Sequence, residues 1–211
     1  MEKYYKWLIG LGILLHLVIA LVTYHPDLRA FILAGKFIDQ GEVFTFYDHV
    51  SKLPSADPYK KTYGDDIFIY PPLAYLIPAA LQLPFQSFLG SAYDTILTDD
   101  SRVYLHNSFY FPLLIFKLPA IIFSLLTLWF LPRLFEKKEQ GHLAQLIWLF
   151  FPTNLFVASG MGQVDSILAF FLLMSFINIK KGRLGLATVF ISLSALIKPL
   201  GLGHMFERCR R

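Results

Sequence analysis

The chain has 211 residues, of which 55% are hydrophobic and only 16% are charged, and its formal net charge is +4. Soluble domains carry about 25% charged residues, so this composition excludes an ordinary soluble domain and indicates a multi-pass membrane protein. No basic cluster interleaves with aromatic residues, which argues against nucleic-acid binding. A single cysteine, Cys209, excludes an intrachain disulfide and a cysteine-based zinc site.

Five apolar segments predict helices that cross a bilayer. The first has 18 residues with one histidine and no formal charge, which is long enough to span the hydrocarbon core. The fold class predicted is all-α, a polytopic transmembrane bundle forming a single domain over residues 1–211. The predicted spans are residues 7–24, 109–131, 143–158, 166–179 and 184–197, of which the third is interrupted at Pro152 and followed by a turn over residues 159–165.

Basic residues predict the orientation of these spans. Lys3 and Lys6 precede the first span, and the positive-inside rule therefore places the N-terminus in the cytoplasm. Two further clusters, at 133–138 and 180–183, fall on the same side if the spans alternate. The sequence thus predicts a cell-membrane protein whose opposite, outer or luminal face carries the polar residues discussed below.

A long first outer loop, residues 25–108, is predicted to carry two helices that lie at the membrane interface. Residues 28–38 have the apolar spacing of an amphipathic helix. Residues 73–89 are apolar but contain Pro78, Pro84 and two glutamines, and the charge pattern requires them to start and end on the outer face. The alternative is a true span, which would place the 133–138 cluster outside.

Two aspartates are candidates for chemistry. Asp27, with Arg29 close by, follows the first span, where a carboxylate suits a general base; the competing interpretation is a cap on the next helix. Asp165 lies in a glycine-containing turn beside Gln163, where both side chains suit sugar hydroxyls, and the competing interpretation is again a helix cap.

Two lysines are candidates for phosphate binding. Lys117 lies about 12 Å into its helix, a depth at which an ammonium group needs an anion or a path to the interface. Lys198, before Pro199 at the outer end of the last span, suits the same phosphate or serves as an interfacial anchor. Tyr70-Pro71-Pro72 forms a stiff turn. His25 and His49 are weak evidence for a metal, and Asp/Glu-rich metal spacing is absent, so no cofactor is predicted and a divalent metal stays the alternative.

In their order, these motifs resemble the GT-C superfamily of polytopic glycosyltransferases, which use a polyprenyl-phosphate sugar as donor. The resemblance covers residues 1–199, and it is greatest to the bacterial polyprenyl-phosphate-mannose branch and to N-glycan glucosyltransferases with a YPPL motif. The motifs that carry it are His25-Pro26-Asp27, Gly41 to Phe46-Tyr47-Asp48, Tyr70-Pro71-Pro72-Leu73, Lys117-Leu118-Pro119-Ala120, Gly162-Gln163-Val164-Asp165-Ser166 and Lys198-Pro199.

The resemblance implies a GT-C-like fold with an inverting hexosyltransferase activity and Asp27 as the catalytic base. The sugar would be mannose-like or glucose-like, and the acceptor a glycan or lipid-linked glycan. The residues implied in substrate binding are Arg29, Tyr70, Lys117, Gln163, Asp165 and Lys198.

Family members have roughly twice as many spans, and three arginines follow the last predicted span here. The sequence is therefore expected to be the N-terminal part of a longer protein. Two alternatives to an active transferase are a transporter or flippase-like protein, in which the polar residues line a pathway, and an inactive fragment.

Overall fold

A computed structural model describes residues 2–57, 60, 68–98 and 107–199, and within these ranges the regular structure is helical, with no β-strand. Of the eleven α-helices in the described ranges, ten are labelled here in chain order and the four-residue helix Gln86–Leu89 is left unlabelled; short 3₁₀ turns join several of them. Their bounds are α1 Glu2–Val22, α2 Leu28–Asp39, α3 Phe46–Ser51, α4 Leu73–Gln82, α5 Ala92–Thr98, α6 Tyr110–Phe130, α7 Lys138–Phe150, α8 Pro152–Asn154, α9 Asp165–Lys180 and α10 Leu184–Ala195.

Two of these helices are long and apolar enough to cross a membrane, Tyr4–Val22 within α1 and Tyr110–Leu134, which begins with α6. A third candidate results if α7 and the helix from Pro152 to Met161, bent by 49° at their junction, count as one span. The prediction of an all-helical protein is confirmed for the described residues, and two or three helices have the length and composition of membrane spans. The five-span bundle stays a prediction, because α9 and α10 have only 16 and 12 residues.

Helices α1 and α6 run antiparallel. The ammonium group of Lys117, early in α6, donates to the carbonyl oxygens of Ala20 and Thr23 at the end of α1. At the opposite end, Tyr5 donates to Gln145, whose amide donates to the Leu128 carbonyl oxygen 2.8 Å away. The segment between α1 and α6 therefore leaves from one end of the bundle and returns to it; we call this the Asp27 end.

The break at Pro152 lies where the sequence predicts it, but the chain stays helical for longer than expected. A π-helix over Leu155–Met161 follows α8, so the turn predicted at 159–165 is reduced to residues 162–164. Buried polar contacts hold this wider helix: His16 Nδ1 lies 2.6 Å from the Ser159 hydroxyl, and Asn154 donates to the Ser124 hydroxyl at 3.1 Å. Neighbouring helices thus satisfy polar groups at the break.

The first connecting segment packs tightly onto the bundle instead of lying loosely over it. Helix α2 was predicted to be amphipathic, yet nine of its twelve residues are buried, because α4, α5 and α6 all pack against it. Aromatic rings fill the space between α2, α3 and α4: Phe46 lies 4.5 Å from Tyr75 and 5.1 Å from Phe68, measured between ring centroids. This aromatic core fixes the segment that carries Tyr70.

Candidate functional site

Asp27 lies in the turn between α1 and α2, and its side chain is 48% exposed. It occupies the N-cap position of α2 but forms no side-chain hydrogen bond to that helix, so the capping interpretation does not describe it. Its Oδ2 instead accepts a hydrogen bond from Gln163 Nε2 at 3.0 Å. The carboxylate is thus held from one side and open on the other.

His25 flanks the second oxygen of Asp27. The Asp27 backbone N–H donates to His25 Nδ1 at 3.3 Å. The same Nδ1 lies 3.6 Å from Asp27 Oδ1, beyond hydrogen-bonding distance. Within the part of the chain that the structure describes, Oδ1 therefore accepts no hydrogen bond.

Gly162 makes the turn that presents Gln163. Its φ of +70° lies in the left-handed region, which glycine adopts without steric cost. A Cβ added there would lie 2.8 Å from Lys117 Cγ and 2.9 Å from Leu28 Cδ1. The turn is therefore wedged against the residue that follows Asp27, and only glycine fits both the backbone angle and the space.

Asp165 begins α9 and forms a second polar cluster with Lys198 and Tyr70. Lys198 Nζ donates to both carboxylate oxygens of Asp165, at 2.9 and 3.0 Å, and it lies 5.2 Å from the centre of the Tyr70 ring. The side chains of Lys198 and Asp165 are 21% and 34% exposed. Three residues that the sequence predicted separately are thus in contact.

The Tyr70 turn is fixed by two contacts that the sequence did not indicate. Tyr47 donates from its hydroxyl to the Tyr70 carbonyl oxygen at 2.5 Å; burial, with a smaller effect of Tyr75, raises the pKa of Tyr47 to about 12, so that it stays a donor. The Leu73 N–H donates to the Leu196 carbonyl oxygen at 3.1 Å, which joins this turn to the end of α10.

Lys117 has a different environment from the one predicted. It is fully buried, and its ammonium group donates to the Thr23 carbonyl oxygen at 2.5 Å, the Thr23 hydroxyl at 2.8 Å and the Ala20 carbonyl oxygen at 3.2 Å. Three donors thus meet three acceptors, which satisfies carbonyl groups at the last turn of α1. In this arrangement Lys117 holds the end of α1 instead of facing a phosphate.

Arg29 is also directed away from the candidate site. It is 8% exposed, and its guanidinium donates to the Leu97 carbonyl oxygen at 3.1 Å, next to the end of α5. The prediction grouped it with Asp27 because only one residue separates them. Helical geometry explains the difference: residues two apart on a helix face different directions.

His25 and Thr23 belong to the site but were not selected from the sequence. Thr23 accepts the Lys117 ammonium, and its hydroxyl donates to the Ile19 carbonyl oxygen at 2.5 Å. A threonine at the end of an apolar span is ordinary, so no signal in the sequence singled it out. Among the described residues, no group of three His, Cys, Asp or Glu side chains is arranged to hold a metal ion.

An apolar groove of about 400 Å³ adjoins the site, between the end of α1 and the Pro152–Met161 helix. Thr23, Tyr24 and His25 form one wall, and Leu155 and Phe156 are part of the other. The polar residues of the Asp27 end therefore stand beside a surface suited to hydrocarbon.

Comparisons with known proteins leave the resemblance as a prediction: no family model matches the chain, and no match was found among curated proteins or solved structures.

Proposed function

We propose that the chain is a membrane hexosyltransferase, or the part of one that activates the acceptor, and that it uses a polyprenyl-phosphate sugar as donor. The observation that carries the proposal is the Asp27 carboxylate, half-exposed, held through one oxygen by a neutral amide and open at the other. A general base needs this combination of fixed position and free lone pair. The family resemblance supplies the reaction.

Asp27 Oδ1 accepts the proton of an acceptor hydroxyl as its oxygen attacks the anomeric carbon of the donor. The bond between that carbon and the phosphate oxygen breaks, and its electron pair leaves with polyprenyl phosphate. Attack opposite the leaving group inverts the anomeric configuration. His25 Nδ1 accepts from the Asp27 backbone N–H and lies 3.6 Å from Oδ1, which leaves that oxygen open to the acceptor hydroxyl.

Lys198 is the proposed partner of the departing phosphate. It is part-exposed, and its ammonium group reaches a carboxylate from a position above the Tyr70 ring, so an incoming phosphate competes with Asp165 for the same cation. Fixed cations near developing negative charge stabilise transition states. Lys117 is assigned to holding α1 in place, because its donors are bound to Thr23 and Ala20.

The membrane arrangement is part of the same proposal. The Asp27 end faces the outer or luminal side, residues 73–89 lie at the interface, and α7–α8, α9 and α10 complete the spans. The segment between α1 and α6 leaves from the Asp27 end of the bundle and returns to it, which supports this arrangement. Single cysteines replacing Lys60, Thr95, Lys137 and Lys181 in a Cys209→Ser background test it with an impermeant maleimide on intact cells. Labelling at 60 and 95 alone is expected, and labelling at 137 without 95 would refute it.

The activity is tested with purified protein in vesicles, supplied with polyprenyl-phosphate mannose or polyprenyl-phosphate glucose and a mixture of glycan acceptors. We expect free polyprenyl phosphate to appear with the wild type and not with Asp27→Asn. Movement of intact donor across the vesicle without release of polyprenyl phosphate would instead support a transporter. Equal release by both proteins would refute Asp27 as the base.

A further inference from the structure

Gln163 has an environment that does not suit a residue in contact with a sugar. Gln163 is a buried residue, 6% exposed as a whole, whereas the side chain of Asp27 that it binds is 48% exposed. Its Nε2 reaches Asp27 Oδ2 at 3.0 Å from the interior of the bundle. A substrate that approaches the open side of Asp27 therefore meets the carboxylate first and not the amide.

The turn that carries Gln163 is fixed to the segment that carries Asp27. The Gln163 N–H donates to the Val157 carbonyl oxygen at 3.0 Å, on the last turn of the π-helix. Gly162 approaches Leu28 so closely that a Cβ would lie 2.9 Å from Leu28 Cδ1. Leu28 follows Asp27 directly, and Gly162 precedes Gln163. The close approach of Gly162 to Leu28 therefore sets the positions of both the Gln163 amide and the Asp27 carboxylate.

The carbonyl half of this amide has no comparable use. Gln163 Oε1 is buried and has no hydrogen-bond partner among the described residues. Only the donor nitrogen is bonded, and it is bonded to a carboxylate. A buried acceptor left unbonded carries a free-energy cost, which the hydrogen bond to a charged group offsets.

We propose that Gln163 is a positioning residue for Asp27: it fixes the carboxylate through Oδ2 and leaves Oδ1 to receive the acceptor proton. This replaces the sugar-binding role that the sequence suggests for Gln163. The catalytic consequence rests on the proposed function, whereas the hydrogen bond itself rests on geometry alone. The experiment therefore needs one readout that is independent of turnover.

That readout is the reaction of Asp27 with an apolar carbodiimide, followed by peptide mass spectrometry. A protonated carboxyl gives its proton to a carbodiimide nitrogen, and the carboxylate then adds to the central carbon to form an acylisourea, which rearranges to a stable acylurea. A hydrogen-bond donor to the charged form disfavours protonation and slows this reaction. Gln163→Leu removes the donor, and we expect modification to be about fivefold to tenfold faster.

Gln163→Glu keeps the shape of the side chain and places a second carboxyl beside Asp27. Two carboxyls at this distance share a proton, so modification is expected to be faster than in Gln163→Leu. The matched control is Gln82→Leu, because Gln82 resembles Gln163 in its surroundings. It is buried, its Nε2 donates to the Phe116 carbonyl oxygen at 3.5 Å, and its Oε1 has no hydrogen-bond partner among the described residues. In this control the Asp27 rate should equal that of the wild type.

Asp165 serves as an internal reference in every sample, because Lys198 binds both of its oxygens. An unchanged Asp27 rate in a folded Gln163 variant overturns the proposal, and if Gln163→Leu does not fold, the isosteric Gln163→Glu decides. Equal acceleration at Asp165, or by Gln82→Leu, also overturns it, since it would indicate general loosening.

Turnover gives the second readout. Gln163→Leu is expected to lower kcat about tenfold with KM unchanged, as befits a group that acts through Asp27. A raised KM with unchanged kcat would return Gln163 to sugar binding and overturn the positioning role. Absence of turnover in the wild type would refute the proposed function, while the carbodiimide rates would still test the hydrogen bond.

Discussion

Two aspartates meet the same turn, and their surroundings differ in charge. Asp27 faces a neutral amide, Gln163, whereas Asp165 faces the ammonium of Lys198, which binds both of its oxygens. The amide fixes Asp27 without neutralising it, so one oxygen keeps its capacity to accept a proton. The lysine neutralises Asp165 and joins the start of α9 to the residues that directly follow α10.

Under the proposed function, the two carboxylates are distinguished by the charge of their partners and not by their depth. Both aspartates are part-exposed, and both were given the same competing interpretations from the sequence. A carboxylate paired with a cation is a poorer base, because the opposite charge favours its ionised form. Each prediction below alters one side of this comparison.

The largest effect is expected from replacing each aspartate by asparagine. Asp27→Asn should lower turnover by about 10²–10⁴-fold, the contribution typical of a general base, with little change in melting temperature because the amide can still bond to Gln163. Asp165→Asn should lower turnover by less than about tenfold. Both are measured by release of polyprenyl phosphate, and equal loss in the two variants would remove the distinction.

Gly162→Ala tests the turn that both aspartates share. It should destabilise the protein by about 2–4 kcal/mol, since alanine resists the left-handed backbone and its Cβ meets Lys117 and Leu28. Gly182→Ala is the matched control, because Gly182 has φ +69° but no atom near its added Cβ. Thermal unfolding in detergent should show a smaller loss, about 1 kcal/mol; equal losses would mean that close packing contributes nothing.

Lys117→Met tests the support beneath Asp27. The change leaves the carbonyl oxygens of Ala20 and Thr23 without a donor and should cost about 1–3 kcal/mol. Lys36→Met is the control, since Lys36 pairs with Asp94 at the surface at 2.5 Å and should cost less than about 1 kcal/mol. If Lys117→Met kept full stability and instead raised the KM for the donor, phosphate binding would be the better assignment.

Lys198→Met alters the Asp165 side and has the smallest expected effect on stability, although turnover should fall because Lys198 is the proposed partner of the departing phosphate. It should cost about 1 kcal/mol, because the pair is part-exposed and solvent screens the loss. Adding Asp165→Asn should recover most of that stability, since no uncompensated carboxylate remains. A double-mutant cycle from melting curves measures the coupling, and strictly additive losses would show that the pair contributes nothing.

The helices were predictable from the sequence where an apolar segment was long or where a proline interrupted it. Apolar length identified α1 and α6, and Pro152 marked the bend between α7 and α8. The π-helix to Met161 was not predictable, since it depends on His16 and Ser124, which lie far away in the chain. Burial of α2 was missed for a similar reason: α2 packs against α4, α5 and α6, which follow it only after long intervening segments.

The structure brings several of the predicted residues together in pairs that the sequence did not predict. Motif order selected Asp27, Gln163, Asp165 and Lys198, which the structure joins into two hydrogen-bonded pairs. Residue type alone did not show that Lys117 is enclosed by the last turn of α1, or that Arg29 faces Leu97. Both outcomes depend on packing between segments that are distant in sequence, which spacing cannot encode.

The hydrogen bond between the Leu73 N–H and the Leu196 carbonyl oxygen has a consequence for biosynthesis. The ribosome adds about 5–20 residues per second, so the Tyr70 turn waits roughly 6–25 s for its partner to be made. During that interval the nascent chain holds the turn through Tyr47 and the aromatic core alone. Closure of the Tyr70 turn onto the end of α10 is therefore a late event in translation, and a chain that ended before Leu196 would lack this contact.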